Sequence, residues 1–194
     1  MPEHLAPNEE RALIRQVPQN PEAFRRLYQH YFPRLFAYAA YRVGGRQEAE
    51  DVTATVFMKV VEAIGRFEYR GEGSFATWLF SIAHREVQQF FRTLQRRDAA
   101  TIPLEELPEI ESGGLLPDEA FDRKERFAHL RQTLLTLSPR RQEIVTLRFF
   151  GGLRNQEIAI VLGLDERTVA SHLCRGLEDL KHAYQREEVA NEPQ

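Results

Sequence analysis

With 194 residues, 42% of them hydrophobic and 28% charged, and a formal net charge of −3, the chain has an ordinary soluble composition and length enough for two small domains. No apolar run approaches the roughly 18 residues of a membrane span, the opening MPEHLAPNEER lacks a signal-peptide stretch, and the one cysteine, Cys174, allows no internal disulfide, so a cytoplasmic location without membrane insertion is expected. The six histidines, His4, His30, His84, His129, His172 and His182, have no metal-ligand spacing, and no phosphate-binding glycine loop or nucleophile motif is present; no metal, no cofactor and no enzymatic activity are expected.

The first half is helical in period. Phe24, Leu27, Tyr28, Tyr31, Phe32, Leu35 and Phe36 recur at spacings of three and four, with Pro33 marking a kink or a break, and Gly44-Gly45 ends the unit. From Gln47, the positions Ala49, Val52, Val56, Phe57, Val60, Val61 and Ile64 form one apolar stripe, and Gly65 follows as a stop. The loop RFEYRGEGS then leads to Ser74, the expected N-cap of a long helix lined by Phe75, Trp78, Leu79, Ile82, Ala83, Val87, Phe90, Phe91 and Leu94. That helix closes on a basic run, Arg92, Arg96 and Arg97.

Residues 98–122, DAATIPLEELPEIESGGLLPDEAFD, hold eight acids and no Lys or Arg, three prolines and a Gly-Gly pair, the composition of an acidic flexible linker. Residues 1–97 carry 14 Lys and Arg against 11 Asp and Glu, and residues 123–194 carry 12 against 10. The acidity therefore sits in a strap between two mildly basic bodies. Anion binding is decided by potential within a Debye length, about 8 Å at physiological salt, so the net charge does not argue against nucleic acid.

After the linker, Phe127, Leu130, Leu134 and Leu137 mark a helix ending near Ser138-Pro139, where Ser at the cap and Pro at the first helical position open the next. That one buries Ile144, Val145 and either Leu147 or Phe149, and Gly151-Gly152 closes it. In NQEIAIVLGLDERTVASHLCRGLEDL, Ile158, Val161 and Leu162 face inward, Gly163 supplies the positive φ of a tight corner, and Asp165 caps a second helix packed through Leu164, Val169, Leu173, Leu177 and Leu180. Its other face presents Arg167, Thr168, Ala170, Ser171, His172 and Arg175, donors for phosphate or base edges at a helix N-terminus. The residues alone leave a plain helical hairpin or a stand-alone DNA-binding regulator open. No strand alternation of useful length occurs, so the fold class is all-α: two small helical domains, residues 1–97 and 123–186, an acidic linker between them, a helix-turn-helix in the second, and a tail at 187–194.

LSPRRQEIVTLRFFGGLRNQEIAIVLGLDERTVASHLCRGLEDLK resembles the promoter-recognition domain of extracytoplasmic-function (group IV) sigma factors of bacterial RNA polymerase. AEDVTATVFMKVVEAIGRFEYRGEGSFATWLFSIAHREVQQFFR is similar to the same family's core-binding and promoter-melting domain. The resemblance implies a sigma factor for a stress- or signal-responsive gene set, binding the clamp coiled coil and flap of core polymerase and promoter DNA in duplex and single-stranded form. It also implies an anti-sigma partner. It assigns polymerase docking to Glu48, Glu50, Asp51, Thr55 and Lys59, and capture and melting of the minus-ten element to Phe67, Tyr69, Arg70, Ser74, Arg85, Gln88, Gln89 and Arg92. Phe75 and Trp78 fit core packing better than base capture. Minus-thirty-five recognition falls to Arg154, Glu157, Arg167, Thr168, Ser171, His172 and Arg175, the first two near the DNA backbone. Family members often carry Gln and an acid where Ala54 and Thr55 stand, and a phosphoryl group on Thr53 or Thr55 would restore that charge. Arg-Asn often replaces His84-Arg85, and Lys and Arg often replace Ala170 and His172.

Overall fold

Local chemistry sets most helix boundaries in this computed structural model, which describes residues 5–71, 73–98 and 117–191. The expected linker's residues 99–116 and the last tail residues, 192–194, lie outside the described residues. A helix not anticipated from the sequence, α1 (Pro7–Gln16), opens with Pro in its first turn and buries Leu13, Ile14 and Glu10. Next comes α2 (Pro21–Val43), where the Asn20 side chain accepts from the Glu22 amide at 3.0 Å and Gly44, at φ +91°, ends the helix. It runs through Pro33 without a break. Proline removes one backbone bond there, but Tyr31, Leu35 and Tyr38 on either side are buried in the same core and hold the two halves together.

The remaining elements are α3 (Arg46–Ala63), a 3-10 turn (Ile64–Arg66), α4 (Ser74–Asp98), α5 (Pro117–Leu135), α6 (Pro139–Phe149), α7 (Asn155–Leu162) and α8 (Glu166–Asn191). Among the described residues every regular element is helical. Pro117 at the first position lets α5 begin inside the segment read as linker. Ser74 is not an N-cap. Its hydroxyl donates back to the Gly71 carbonyl at 2.7 Å and accepts from the Arg70 amide, so it ties the preceding loop while α4 starts at Ser74 itself.

Leu35, Tyr38, Val56, Val60, Phe75, Leu79, Phe80 and Val87 form the centre of the first module. Ile144, Leu147, Leu153, Ile158 and Val169 of the second belong to the same buried cluster, as α6 packs on α2 and α7 on α4. A smaller cluster of Leu134, Leu137 and Val145 sits under α5 and α8. Val61 (50%) and Leu177 (42%), placed inside by their period, are instead exposed, as are Tyr28, Leu94 and Leu130 at the edges of their stripes, and of the two alternatives on α6 Phe149 points outward. Leu147, fully buried, takes the α6 core position. A helix stripe wider than the surface its neighbours cover leaves its edge positions in water.

Candidate nucleic-acid interface

Phe67, Glu68, Arg70 and Gly73 of the loop before α4, with the start of that helix, form one wall of a cleft of about 730 Å³. Arg66, Phe67, Arg70, Ser74 and Trp78 line this side, while Arg154, just before α7, and Gln156, Glu157 and Ile160 on it close the other. Phe67 stands 4.9 Å from Trp78 and 5.5 Å from Phe75, ring centre to ring centre. Phe75 is core, as expected, and half-buried Trp78 both packs on the core and lines the cleft. Aromatic faces beside guanidinium groups and hydroxyls are the means by which an unstacked base is held. Arg70 reaches Glu68 at 3.2 Å, with both side chains nearly fully exposed, a pairing of little energetic weight. Tyr69 turns away from the cleft. Its hydroxyl donates to the Pro7 carbonyl at 3.2 Å and the Arg11 guanidinium lies 5.9 Å from its ring, so α1 holds the back of the loop.

Further along α4, Arg85, Gln89 and Arg92 are exposed and Gln88 is half-buried, a polar track at helical spacing leading away from the cleft. On α8, Arg167, Ser171 and Arg175 are exposed on one face. Thr168 is committed locally: its amide donates to Asp165 Oδ1 at 2.8 Å and its hydroxyl to Oδ2 at 2.5 Å. Those hydrogen bonds hold the Asp165 carboxyl below its ordinary range, so the helix start carries a negative charge beside its donors. His172 is half-buried, and its Nδ1 has no hydrogen-bond partner. The corner is as expected, with Gly163 at φ +64°.

Arg154 and Glu157 stand apart from that face. They close a capping box at the start of α7, in which the Arg154 amide donates to Glu157 Oε2 at 2.7 Å and its guanidinium to Oε1 at 2.8 Å. The pair abuts the loop of the first module so closely that a Cβ on Gly73 would fall 1.8 Å from Glu157 Oε1. These two residues thus join the cleft rather than the recognition face of α8.

On α3, Glu50 pairs with Arg46 at 2.8 Å, Asp51 accepts from Gln47 at 3.3 Å, and Lys59 reaches across to Glu86 on α4 at 2.6 Å. Glu48 is half-buried against Gly45. Thr53 is sealed in the core at 1% exposure, leaving Thr55, half-buried, as the reachable hydroxyl of the two. Sequence reading missed Met58, 64% exposed, which with Val61 gives α3 an apolar outward strip.

It also missed a polar seam between the modules. Tyr38 Oη donates to Glu143 Oε1 at 2.6 Å, Arg42 Nη2 meets Oε2 at 2.7 Å, and His84 Nδ1 lies 3.1 Å from Oε1. Arg42 also donates to Gln142 at 2.8 Å, and Arg34 to the Gly151 carbonyl at 2.9 Å. Among the described residues no group of His, Cys, Asp and Glu is arranged to hold a metal ion, and no helix is long and apolar enough to cross a membrane.

The family model for Sigma-70 region 2 matches residues 27–97 and that for Sigma-70, region 4 matches residues 128–180, together more than half of the chain. The chain belongs to the extracytoplasmic-function sigma factors. It is 34% identical over 160 residues to the ECF RNA polymerase sigma factor BldN of Streptomyces coelicolor, covering 82% of this chain and 59% of that one. It is 29% identical over 163 residues to the ECF RNA polymerase sigma factor SigX of Bacillus subtilis, covering 82% of each. It is also 29% identical to the RNA polymerase sigma-H factor of Pseudomonas aeruginosa, covering 93% of this chain and 96% of that one. Two solved structures share the fold: CnrH in complex with the cytosolic domain of CnrY (TM-score 0.67, 21% identity, 91% of this chain and 97% of that one), and RpoE in complex with the anti-sigma factor NepR from Bartonella quintana (TM-score 0.65, 22% identity, 84% and 98%). In this sigma-factor frame the loop at 67–73 and α4 belong to region 2, and α6 to α8 to region 4.

Proposed function

We propose that this chain is a dissociable specificity subunit of bacterial RNA polymerase, without enzymatic activity or cofactor, that acts in the cytoplasm. The observation that carries the reading is the pairing in one chain of an aromatic, arginine-rimmed cleft with a helix-turn-helix whose α8 exposes Arg167, Ser171 and Arg175. The first suits a base removed from the stack, and the second suits a duplex groove.

In this reading α3 docks on the clamp coiled coil through Asp51, Thr55, Met58 and Val61, with Glu48 and Glu50 giving acid near its N-terminus. Region 4 engages the flap. The cleft, with Phe67, Arg70, Ser74 and Trp78, receives a minus-ten base, and Arg85, Gln88, Gln89 and Arg92 follow the separated strand. Tyr69 acts indirectly by bracing the loop against α1. Arg167, Ser171 and Arg175 contact the minus-thirty-five element, with Thr168 and His172 at the edge of that face; Arg154 and Glu157 reach the backbone only after leaving the cleft. The acidic linker fits basic channels built for nucleic acid. An anti-sigma partner is supported by the two structural neighbours, each solved with another protein, one of them an anti-sigma factor.

Co-elution with purified core polymerase tests this directly. A stable complex that shifts promoter-containing fragments, where neither component does so alone, is the expected result. Specific duplex binding by the free chain with no affinity for core would instead establish a stand-alone regulator.

A further inference from the structure

We infer that Glu143 is an intramolecular latch: it holds region 4 against region 2 in a closed form in which α7 caps the minus-ten cleft. The masking half rests on the function proposed above; the latch itself does not.

Glu143 belongs to α6 of region 4, yet its carboxylate is held by side chains of region 2: Tyr38 and Arg42 on α2, and His84 on α4. Its carboxylate is 4% exposed and the Arg42 side chain 6%. Around this seam Tyr41 stacks on Phe150 with ring centres 4.0 Å apart, and Arg34 grips the Gly151 carbonyl. The same closure brings Arg154, Gln156, Glu157 and Ile160 over the cleft.

The latch is reversible for a physical reason. When the modules separate, Arg42, Tyr38 and Glu143 all pass into water together, and a buried ion pair roughly breaks even against that exchange. Removing one partner while the seam stays shut is costly, because the other charge is left buried and unpaired. Opening is also required by geometry. Two elements about 25 base pairs apart lie on the order of 80 Å apart along a duplex. A compact chain of this length has a radius of gyration of about 16 Å, hence a diameter of about 40 Å, and cannot reach both while closed.

Spin labels on the native, exposed Cys174 and on Glu62→Cys, both away from the seam, report the separation in the free full-length chain by pulsed electron resonance. The expected result is one short distance for the otherwise wild-type chain. Glu143→Ala on one side and Arg42→Ala on the other should each shift the population on the order of a hundredfold toward long distances, with helical content unchanged by circular dichroism. Tyr38→Phe, which removes only a hydroxyl, gives a smaller shift and serves as the informative variant should either alanine substitution unfold its module. A short distance retained in all folded variants overturns the latch whatever the chain's function. Variants that open yet bind a minus-ten single strand no more tightly than wild type overturn the masking.

Discussion

The Phe67 ring lies 4.9 Å from that of Trp78, tilted by 36°, at the wall of the cleft that α7 covers. Trp78 is the only tryptophan in the chain, so its fluorescence reports this site alone. A minus-ten single strand bound to holoenzyme reconstituted with a tryptophan-free core should quench that emission. Phe67→Ala should weaken the binding by about 1–3 kcal/mol, the worth of one stacked base. A titration with the same midpoint for both proteins would place base capture elsewhere.

Arg167 and Arg175 face solvent on α8, where each is available to a phosphate. Arg167→Ala and Arg175→Ala should each flatten the dependence of log K on log salt by about 0.9 for the holoenzyme on an upstream-element duplex. Binding measured across a salt series checks this. A loss confined to one base position, with the slope intact, would make the residue a reader of sequence rather than of backbone.

Met58 is 64% exposed beside Val61, and nothing in the fold requires an apolar side chain there. Met58→Glu should leave stability within about 0.5 kcal/mol of wild type while costing more than about 1 kcal/mol in affinity for core polymerase. Thermal melting and calorimetric titration separate the two effects.

The seam carries a pH dependence with a defined sign. Burial pushes the Glu143 carboxyl up, but the His84 hydrogen bond, the Arg42 charge and the Tyr38 hydroxyl outweigh it and leave its pKa below the ordinary 4.5. A depressed carboxylate contributes to closure above its open-state value and withdraws that contribution as pH falls through the closed-state value. Through Glu143 the closed form should therefore hold steady from about pH 6 to 8 and open only in acid. The buried Tyr38 hydroxyl, its pKa raised well above 10 chiefly by burial, stays protonated throughout that window. Scattering measurements from pH 8 to 3.5 should show expansion in wild type, with that step missing from Glu143→Gln.

The helices were legible where chemistry is local. Spacings of three and four exposed α2, α3 and α4, and Gly163 with Asp165 marked the corner of the helix-turn-helix. By contrast α1, with Leu13 and Ile14 its two large apolar residues, is too short for a period to stand out. The same periodicity misplaced Val61 and Leu177, because an apolar stripe does not say whether the chain itself or a partner covers it. The seam was invisible for a different reason. Tyr38 and Glu143 are polar, 105 residues apart, and acquire their role only when two modules meet. Arg154 and Glu157 were assigned only by resemblance; their capping box and the loop it abuts depend on how α7 meets the first module, which the sequence does not state.

Run-off transcription from fragmented bacterial genomic DNA, with core polymerase in the presence and absence of this chain, tests the central claim most directly. Discrete new start sites preceded by a shared pair of upstream motifs, and lost together in Phe67→Ala and Arg167→Ala, are the result expected. A chain that joins core polymerase and yields no new start site on any fragment would contradict it.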